Sequence, residues 1–248
     1  MEILGIDIGG SGIKGAIVNL ETGEFVSEKH RIPTPKSRKP KAIAKRVNQM
    51  VEHFSYKGVV GCGFPTIIKK GFCKDEGNLS KKWVGMNVEH LFEKATGLNF
   101  TVINDADAAG LAEVNYGAGR NEDGFTLMIT VGTGLGSGAY LNRRLIPNFE
   151  LGQTPYLGYD KIEDWAASSV KKKEDLTYKQ WAKRFNVFLN YTHLILNPDL
   201  ILVGGGISKH WNKYKDYLNV NTDLAPAELR NKSGIMGAAL AAKMRMDV

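Results

Sequence analysis

Short apolar runs in this chain are broken by glycines, and the first such break comes at once. Leu4-Gly5-Ile6-Asp7-Ile8 runs into Gly9-Gly10-Ser11-Gly12, and apolar positions resume at Ala16-Ile17-Val18. A run, a glycine turn and a second run read as a β-hairpin. The pattern of Leu4–Gly15 returns in Leu127–Gly138, with Thr130 where Asp7 stood. Gly9 then matches Gly132, Gly15 matches Gly138 and Asn19 matches Asn142, at one constant offset of 123 residues. One supersecondary unit used twice predicts two similar domains facing each other.

Between and after the copies the apolar period lengthens. Ile43, Val47, Met50, Val51 and Phe54 share one face of a helix expected from about Lys41 to Phe54, after a basic, Pro-containing connection, Pro33–Pro40. Val59–Phe64 reads as a strand ended by Pro65, Gly71–Leu79 as a loop, and Val88–Thr96 as a helix stopped by Gly97. Phe100–Ile103 is a buried strand, and the acidic turn Asn104-Asp105-Ala106-Asp107 opens a short helix, Ala108–Tyr116. In the second half Pro147–Tyr159 is irregular and Ile162–Val170 helical, while Thr177 caps a long helix ending at Asn197-Pro198. Leu200–Val203 is a strand running into Gly204-Gly205-Gly206, and Gly234–Met244 closes the chain as an Ala-rich helix. Both halves mix strands and helices, so the fold class is α/β. Residues 1–106 form the expected N-terminal lobe, completed by the C-terminal helix 234–248, and residues 107–233 form the other.

Composition narrows the class only a little. With 248 residues, 43% hydrophobic and 24% charged, the chain has an ordinary globular balance with ample core. No apolar run is long enough to span a bilayer and no signal peptide is read at Met1, so a cytoplasmic protein without a membrane partner is expected. Cys62 and Cys73 form no metal-spaced set, which points to a reducing compartment. The formal charge of +7 favours anionic partners without choosing between nucleic acid and phosphorylated ligands.

Gly10–Gly15 has the form of a dinucleotide fingerprint, but that fingerprint needs a helix after its glycines, and here a strand follows. Neither copy carries the Gly-Lys-Ser/Thr ending of a P-loop. A glycine turn between strands can still aim backbone N–H groups at an anion. One copy alone reads equally as a plain tight hairpin. Two copies, one holding a carboxylate (Asp7) suited to hydrated Mg²⁺, point to a phosphate clamp. Asp105 sits just past a buried strand, at the edge where α/β ligand crevices form, and an aspartate there can take the proton of an attacking hydroxyl. Asn104 beside it can hold the same ligand through its amide. Helix capping is the commoner use of such residues, and Asp107, nearer the helix, is the expected cap. Asn78, Glu150, Gln153 and Glu163 are polyol-binding candidates that read equally as loop or surface residues. The five histidines form no ligand-spaced pair, and Lys171–Lys173 reads first as a solvated face.

Taken together these motifs resemble the repressor/ORF/kinase (ROK) family of sugar kinases, nearly end to end. Asp7-Ile8-Gly9-Gly10-Ser11-Gly12-Ile13-Lys14 resembles its first phosphate motif, with Ser11 for the commoner Thr, and Thr130–Ser137 resembles the second. Val203–Ser208 is similar to its adenosine or distal phosphate motif, and Asn104-Asp105-Ala106 to its sugar and general-base motif. Within the family, Asn104–Glu113, Asn78–Trp83 and Ala167–Leu176 resemble the polyphosphate-using glucokinases. The resemblance implies an actin/hexokinase-like (ribonuclease H-like) fold of two similar lobes flanking a cleft. It implies phosphoryl transfer to the 6-hydroxyl of a hexose, glucose in the first instance, with Asp105 as base. The sugar would be held by Asn78, Asn104, Asp105, Glu150, Gln153 and Glu163. Donor phosphates would be held by Asp7, Gly9, Gly10, Ser11, Gly12, Lys14, Thr130, Gly132, Thr133, Gly134, Gly204, Gly205 and Gly206, with Mg²⁺ on Asp7 through water. A homodimer is expected.

Two departures stand out. Gln153 replaces the usual His of Glu-Leu-Gly-His, which leaves the hexose open among glucose, mannose and an N-acetylated hexosamine. The family's Cys-rich zinc segment is missing, so no zinc is expected. The donor stays open as well: polyphosphate needs a cationic track, for which Lys14, Lys81, Lys82, Arg143, Arg144 and Lys171–Lys173 are candidates, whereas ATP needs a purine slot after Gly204–Gly206. The net charge favours polyphosphate. A non-catalytic sugar sensor would have little need for two glycine turns and Asp105. A nucleic-acid-binding domain would explain the charge and not the repeat, so no nucleic-acid partner is expected, and without a helix-turn-helix before Met1-Glu2-Ile3 a repressor is disfavoured.

Overall fold

The computed structural model describes residues 1–77 and 79–247, so the sugar-ligand candidate Asn78 lies outside the described residues. The chain forms two compact units, Met1–Ala112 with Asn231–Val248, and Glu113–Arg230. The boundary expected at 106/107 falls within a helix whose last residues belong to the second unit.

In the first unit β1 (Glu2–Ile8) and β2 (Gly12–Asn19) make the expected antiparallel hairpin, followed by the short β3 (Glu24–Phe25) and β4 (His30–Pro33). Helix α1 (Pro40–His53) leads to β5 (Val60–Phe64), a small hairpin of β6 (Ile68–Lys69) and β7 (Phe72–Cys73), α2 (Val88–Thr96), β8 (Phe100–Asn104) and α3 (Asp105–Tyr116). The main sheet runs β3-β2-β1-β5-β8, with β4 also on β2, and β1, β5 and β8 are parallel. Strand β4 takes in Pro33, the first residue of the expected Pro33–Pro40 connection.

Alternation along two strands decides how this unit packs. Leu4, Ile6 and Ile8 of β1, with Val60, Cys62 and Phe64 of β5, join a buried core with Ile43 and Val47 of α1 and Phe92 of α2. The intervening positions are Gly5, Asp7, Gly61 and Gly63, and successive strand residues face opposite sides. A Cβ on Gly5 would lie 2.0 Å from the Ile235 carbonyl oxygen, and one on Gly61 1.8 Å from that of Ala238. The closing helix, Ser233–Met246, therefore lies with its backbone directly on β1 and β5. Its Gly237 approaches the backbone of α3 as closely, 1.7 Å from the Ala108 oxygen by the same measure.

The second unit repeats the plan. It contains β9 (Phe125–Val131), β10 (Leu135–Leu141), β11 (Arg144–Ile146), α4 (Glu163–Ala166), α5 (Ser168–Lys173), α6 (Tyr178–Leu196), β12 (Leu200–Gly204) and β13 (Asp223–Pro226), and the closing helix of the first unit is α7. Its sheet order is β11-β10-β9-β12-β13, an antiparallel hairpin followed by two parallel strands, as in β2-β1-β5-β8. Strand β9 begins and ends 123 residues after β1. Trp181, Phe185, Phe188 and Leu189 of α6 bury against Leu127, Ile129, Ile201 and Val203. A reciprocal Thr177–Gln180 capping box starts α6, and Asn197 at φ 43° ends it ahead of Pro198.

The expected helix over Ile162–Val170 is two helices, because Ala167 is extended (φ −66°, ψ 158°). The break turns Ser168 and Ser169 toward the Gly132 turn, as described below. The Gly204–Gly206 turn runs into a 3₁₀ segment, Gly206–Lys213, kinked at His210, that apolar periodicity did not predict.

Candidate functional site

The first glycine turn is built so that its carbonyls are spoken for. Gly12 O accepts from Gly9 N at 3.0 Å and Gly9 O from Thr34 Oγ1 at 2.6 Å. Ser11 O accepts from Arg31 Nη2 at 2.8 Å, and Gly10 O takes a longer 3.5 Å contact from Arg38. The Gly10 and Ser11 N–H groups have no protein acceptor among the described residues. A turn that ties back its oxygens and presents its N–H groups can receive an anion, and here two guanidinium groups add positive charge. Arg31, Thr34 and Arg38 were not legible as site residues, since they come from β4 and the loop after it.

The second turn reaches the same end with different parts. Gly132 N donates to Gly134 O at 3.0 Å, and Gly132 O accepts from Ser168 Oγ at 2.9 Å and Ser169 N at 3.1 Å. Thr133 O accepts from Ser169 Oγ at 2.6 Å. The Thr133 and Gly134 N–H groups are left without a protein acceptor among the described residues. Thr130, the counterpart of Asp7, sits in β9 opposite Gly136. The third turn packs beside this one: Gly205 has φ 77°, and a Cβ on it would lie 2.5 Å from Val131 O, so only glycine fits.

At the C-terminal edge of the first unit's parallel strands the register sets Asp7 opposite Gly63, and Gly63 opposite Ile103. Gly63 lacks a side chain between them; a Cβ there would lie 3.8 Å from Asp105 Cα and 3.8 Å from Gly234 O. A Cβ on Gly234 in turn would lie 3.1 Å from the Asp7 carboxyl carbon. Asp7, Gly63, Asp105 and Gly234 are thus neighbours at one strand edge. Lys14, opposite Asp7 in the hairpin, holds the Asp7 carboxylate at 3.2 Å.

The helix cap expected at Asp107 is Asn104 instead. Its Oδ1 accepts from Ala106 N at 2.7 Å and Asp107 N at 3.2 Å, while its Nδ2 donates to Thr66 O at 3.2 Å. These bonds start α3 three residues earlier than apolar periodicity suggested and bury Asp107 in the first turn. Asp105 becomes the first helical residue and is half-buried. Among the described residues Asn104 Nδ2 spends one of its two hydrogens, on Thr66 O.

In the second unit Glu163 opens α4 and lies against the Gly132–Gly134 turn. Its Oε2 accepts from Leu135 N at 3.0 Å, and its Oε1 from Gln153 Nε2 at 3.0 Å, with Lys161 Nζ at 3.7 Å. Gln153 closes the 3₁₀ turn Leu151–Gln153, which Glu150 precedes. Gly152, unremarked in the sequence, lets that turn approach β10, since a Cβ there would lie 2.1 Å from Leu135 O. Ser137 Oγ fixes the same segment, donating to Phe149 O at 2.7 Å and accepting from Leu151 N at 2.9 Å. Glu150, Gln153 and Glu163 are therefore positioned by one short stretch of chain.

The model of the ROK family matches residues 3–155 of this sequence. The chain belongs to the ROK family. Among its relatives is the polyphosphate glucokinase of Mycobacterium tuberculosis (strain CDC 1551 / Oshkosh), 42% identical over 96% of this chain and 89% of the relative. The crystal structure of an inorganic polyphosphate/ATP-glucomannokinase from Arthrobacter sp. strain KM superposes with a TM-score of 0.91, at 37% identity, covering 98% of this chain and 99% of that one. A ROK family glucokinase from Streptomyces griseus in complex with glucose and AMPPNP superposes at 0.82, with 20% identity over 98% of this chain and 100% of that one, a likeness of fold alone. The ROK chain described here accordingly has the actin/hexokinase-like α/β fold.

Proposed function

We propose that this ROK chain transfers a phosphoryl group from inorganic polyphosphate to the 6-hydroxyl of glucose, with ATP as a second donor. The names of its M. tuberculosis and Arthrobacter relatives support that substrate pair. The observation that carries the chemistry is the position of Asp105, the first residue of the helix that Asn104 caps, near Asp7 at the strand edge. In this reading Asp105 accepts the hydroxyl proton as oxygen attacks phosphorus. The N–H groups of Gly10, Ser11, Thr133 and Gly134 take the donor's oxygens, helped by Gly9, Gly12, Lys14, Thr130, Gly132 and the Gly204–Gly206 turn. Asn104, Glu150, Gln153 and Glu163 bind sugar hydroxyls. Gln153 spends its amide N–H on Glu163 and offers its carbonyl oxygen, which fixes the glutamate's orientation.

The donor set at Asp7 fits Mg²⁺ held through water. Among the described residues no group of three or more His, Cys, Asp or Glu gathers to cage a metal, and Mg²⁺ on phosphate substrates keeps several waters and needs only one or two carboxylates. When bound, Mg²⁺ neutralises charge on the transferring phosphate. Lys14 orients the Asp7 carboxylate for that task.

No helix of the described residues is long and apolar enough to cross a membrane. The two free, buried thiols Cys62 and Cys73 suit a reducing compartment, and we place the enzyme in the cytoplasm as a homodimer. An apolar face of the second unit supports the dimer: Leu157, Leu194 and Ile195 are 80%, 77% and 70% exposed, beside a cavity of about 230 Å³ lined by Leu151, Ile162 and Tyr191. The function is tested by measuring glucose 6-phosphate formed from polyphosphate and from ATP at matched phosphoryl concentration. Turnover with polyphosphate is expected. Turnover with ATP alone would reverse the donor choice, and none with either would end the kinase reading.

A further inference from the structure

Two segments of the second unit start at its phosphate turns and end on one aromatic ring. Helix α5 begins with Ser168 and Ser169, tied to Gly132 and Thr133, and its last turn is Lys171, Lys172 and Lys173. The 3₁₀ segment begins at Gly206, kinks at His210 (φ −109°, ψ 18°) and finishes with Lys213. Lys171 Nζ lies 4.4 Å from the centroid of the Tyr178 ring and Lys213 Nζ lies 5.5 Å from it. His210 is a third neighbour, ring to ring at 5.7 Å. The Tyr178 ring is held in place, opening α6 behind the Thr177 cap and stacking on buried Tyr214 at 6.4 Å.

Neither ammonium is paired with a carboxylate among the described residues, and the nearby Glu174 is bound by Arg184 at 2.6 Å. Two like charges near one ring repel each other, and a bound anion relieves that repulsion. The ring face attracts each cation and keeps both in place without neutralising either.

We propose that Lys171, Lys213 and Tyr178 form the distal end of a polyphosphate track, gripping the donor chain beyond the phosphates that the glycine turns hold. The inference rests on polyphosphate being a donor and adds which residues read its length. The track selects for long chains: a polyanion reaching from the turns to the ring gains both ammonium contacts, and a short one gains neither. Lys81, Lys82, Arg143 and Arg144 are not needed for it.

The test compares the wild type with a Lys171→Ala, Lys213→Ala double variant, using long-chain polyphosphate, tripolyphosphate and ATP as donors. Lys213 is exposed and Lys171 half-buried, and a Lys171→Arg, Lys213→Arg pair keeps the charge as a control. The KM for long-chain polyphosphate is expected to rise about tenfold, the combined effect of two exposed charge contacts. The kcat, the KM for glucose and the KM for tripolyphosphate stay at wild-type values, and the arginine pair restores long-chain affinity. Direct binding of labelled long-chain polyphosphate without glucose weakens by the same factor. An unchanged long-chain KM, or an equal loss with tripolyphosphate and ATP, overturns the proposal. If the wild type uses no polyphosphate, the donor reading itself fails, and unaltered polyanion binding by the alanine pair then overturns the track separately.

Discussion

Gly61→Ala would put a methyl group 1.8 Å from the carbonyl oxygen of Ala238. That oxygen belongs to the backbone of α7, so no rotamer change relieves the overlap, and the helix must retreat from β5 by more than an ångström. Gly5 and Gly237 hold α7 at 2.0 Å and 1.7 Å by the same measure, against Ile235 and Ala108, so retreat opens three contacts together. Overpacking of this kind costs about 3 kcal/mol or more. In a chain of this size that lowers Tm by about 6–12 °C. The loss reaches the chemistry too, because Gly234 of α7 packs beside the Asp7 carboxyl. The assay is thermal unfolding by circular dichroism together with kcat at a temperature where the variant is still folded. Gly132→Ala is the control: a Cβ there meets nothing within 4 Å, so Tm should hold while the KM for the phosphoryl donor rises. A Gly61→Ala protein melting within about 2 °C of wild type would refute the argument from close packing.

The remaining expectations concern the cap, a buried acid and the dimer. Asn104→Ala should cost about 1 kcal/mol as a lost cap, while Asn104→Asp keeps the cap's acceptors but loses the bond to Thr66 O, so it recovers Tm only in part and leaves the KM for glucose raised. Restoration of KM by aspartate would limit Asn104 to capping. Burial holds the Glu113 carboxyl above its ordinary value, against the pull of N–H bonds from Leu229, Ala118 and Glu228. The folded chain thus keeps a proton that the unfolded chain has released, so this residue's contribution to stability falls as pH rises from about 4.3 through the raised value. Glu113→Gln removes that part of the slope and costs about 2–4 kcal/mol, since one amide oxygen serves three donors; chemical denaturation between about pH 4 and 7 reads both, and an unaltered slope contradicts it. Leu157→Lys with Ile195→Lys should convert a dimer to monomer in sedimentation, and an intact dimer would move the interface elsewhere.

The hairpins and their repeat were legible because glycine punctuation and strand alternation are local: β9 falls where the offset from β1 puts it. Less visible was whatever depends on a partner distant in sequence. The break at Ala167 exists because Ser168 and Ser169 reach 36 residues back to the Gly132 turn. Strand β4 is four residues long and its pattern is overshadowed by the prolines after it, yet it carries Arg31 to the first cradle. Asp107 looked like the cap because it stands nearer the apolar part of α3. The acceptor is Asn104, whose position at the end of β8 lets its amide turn back over the first helical N–H groups.

The central claim is that Asp105 takes the proton from the sugar hydroxyl during phosphoryl transfer. Single-turnover and steady-state formation of glucose 6-phosphate by Asp105→Asn, with glucose binding measured separately by calorimetry, tests it most directly. The account predicts a loss of about 10²–10⁴ in kcat with the variant folded and still binding glucose. A variant that turns over at close to the wild-type rate would contradict it.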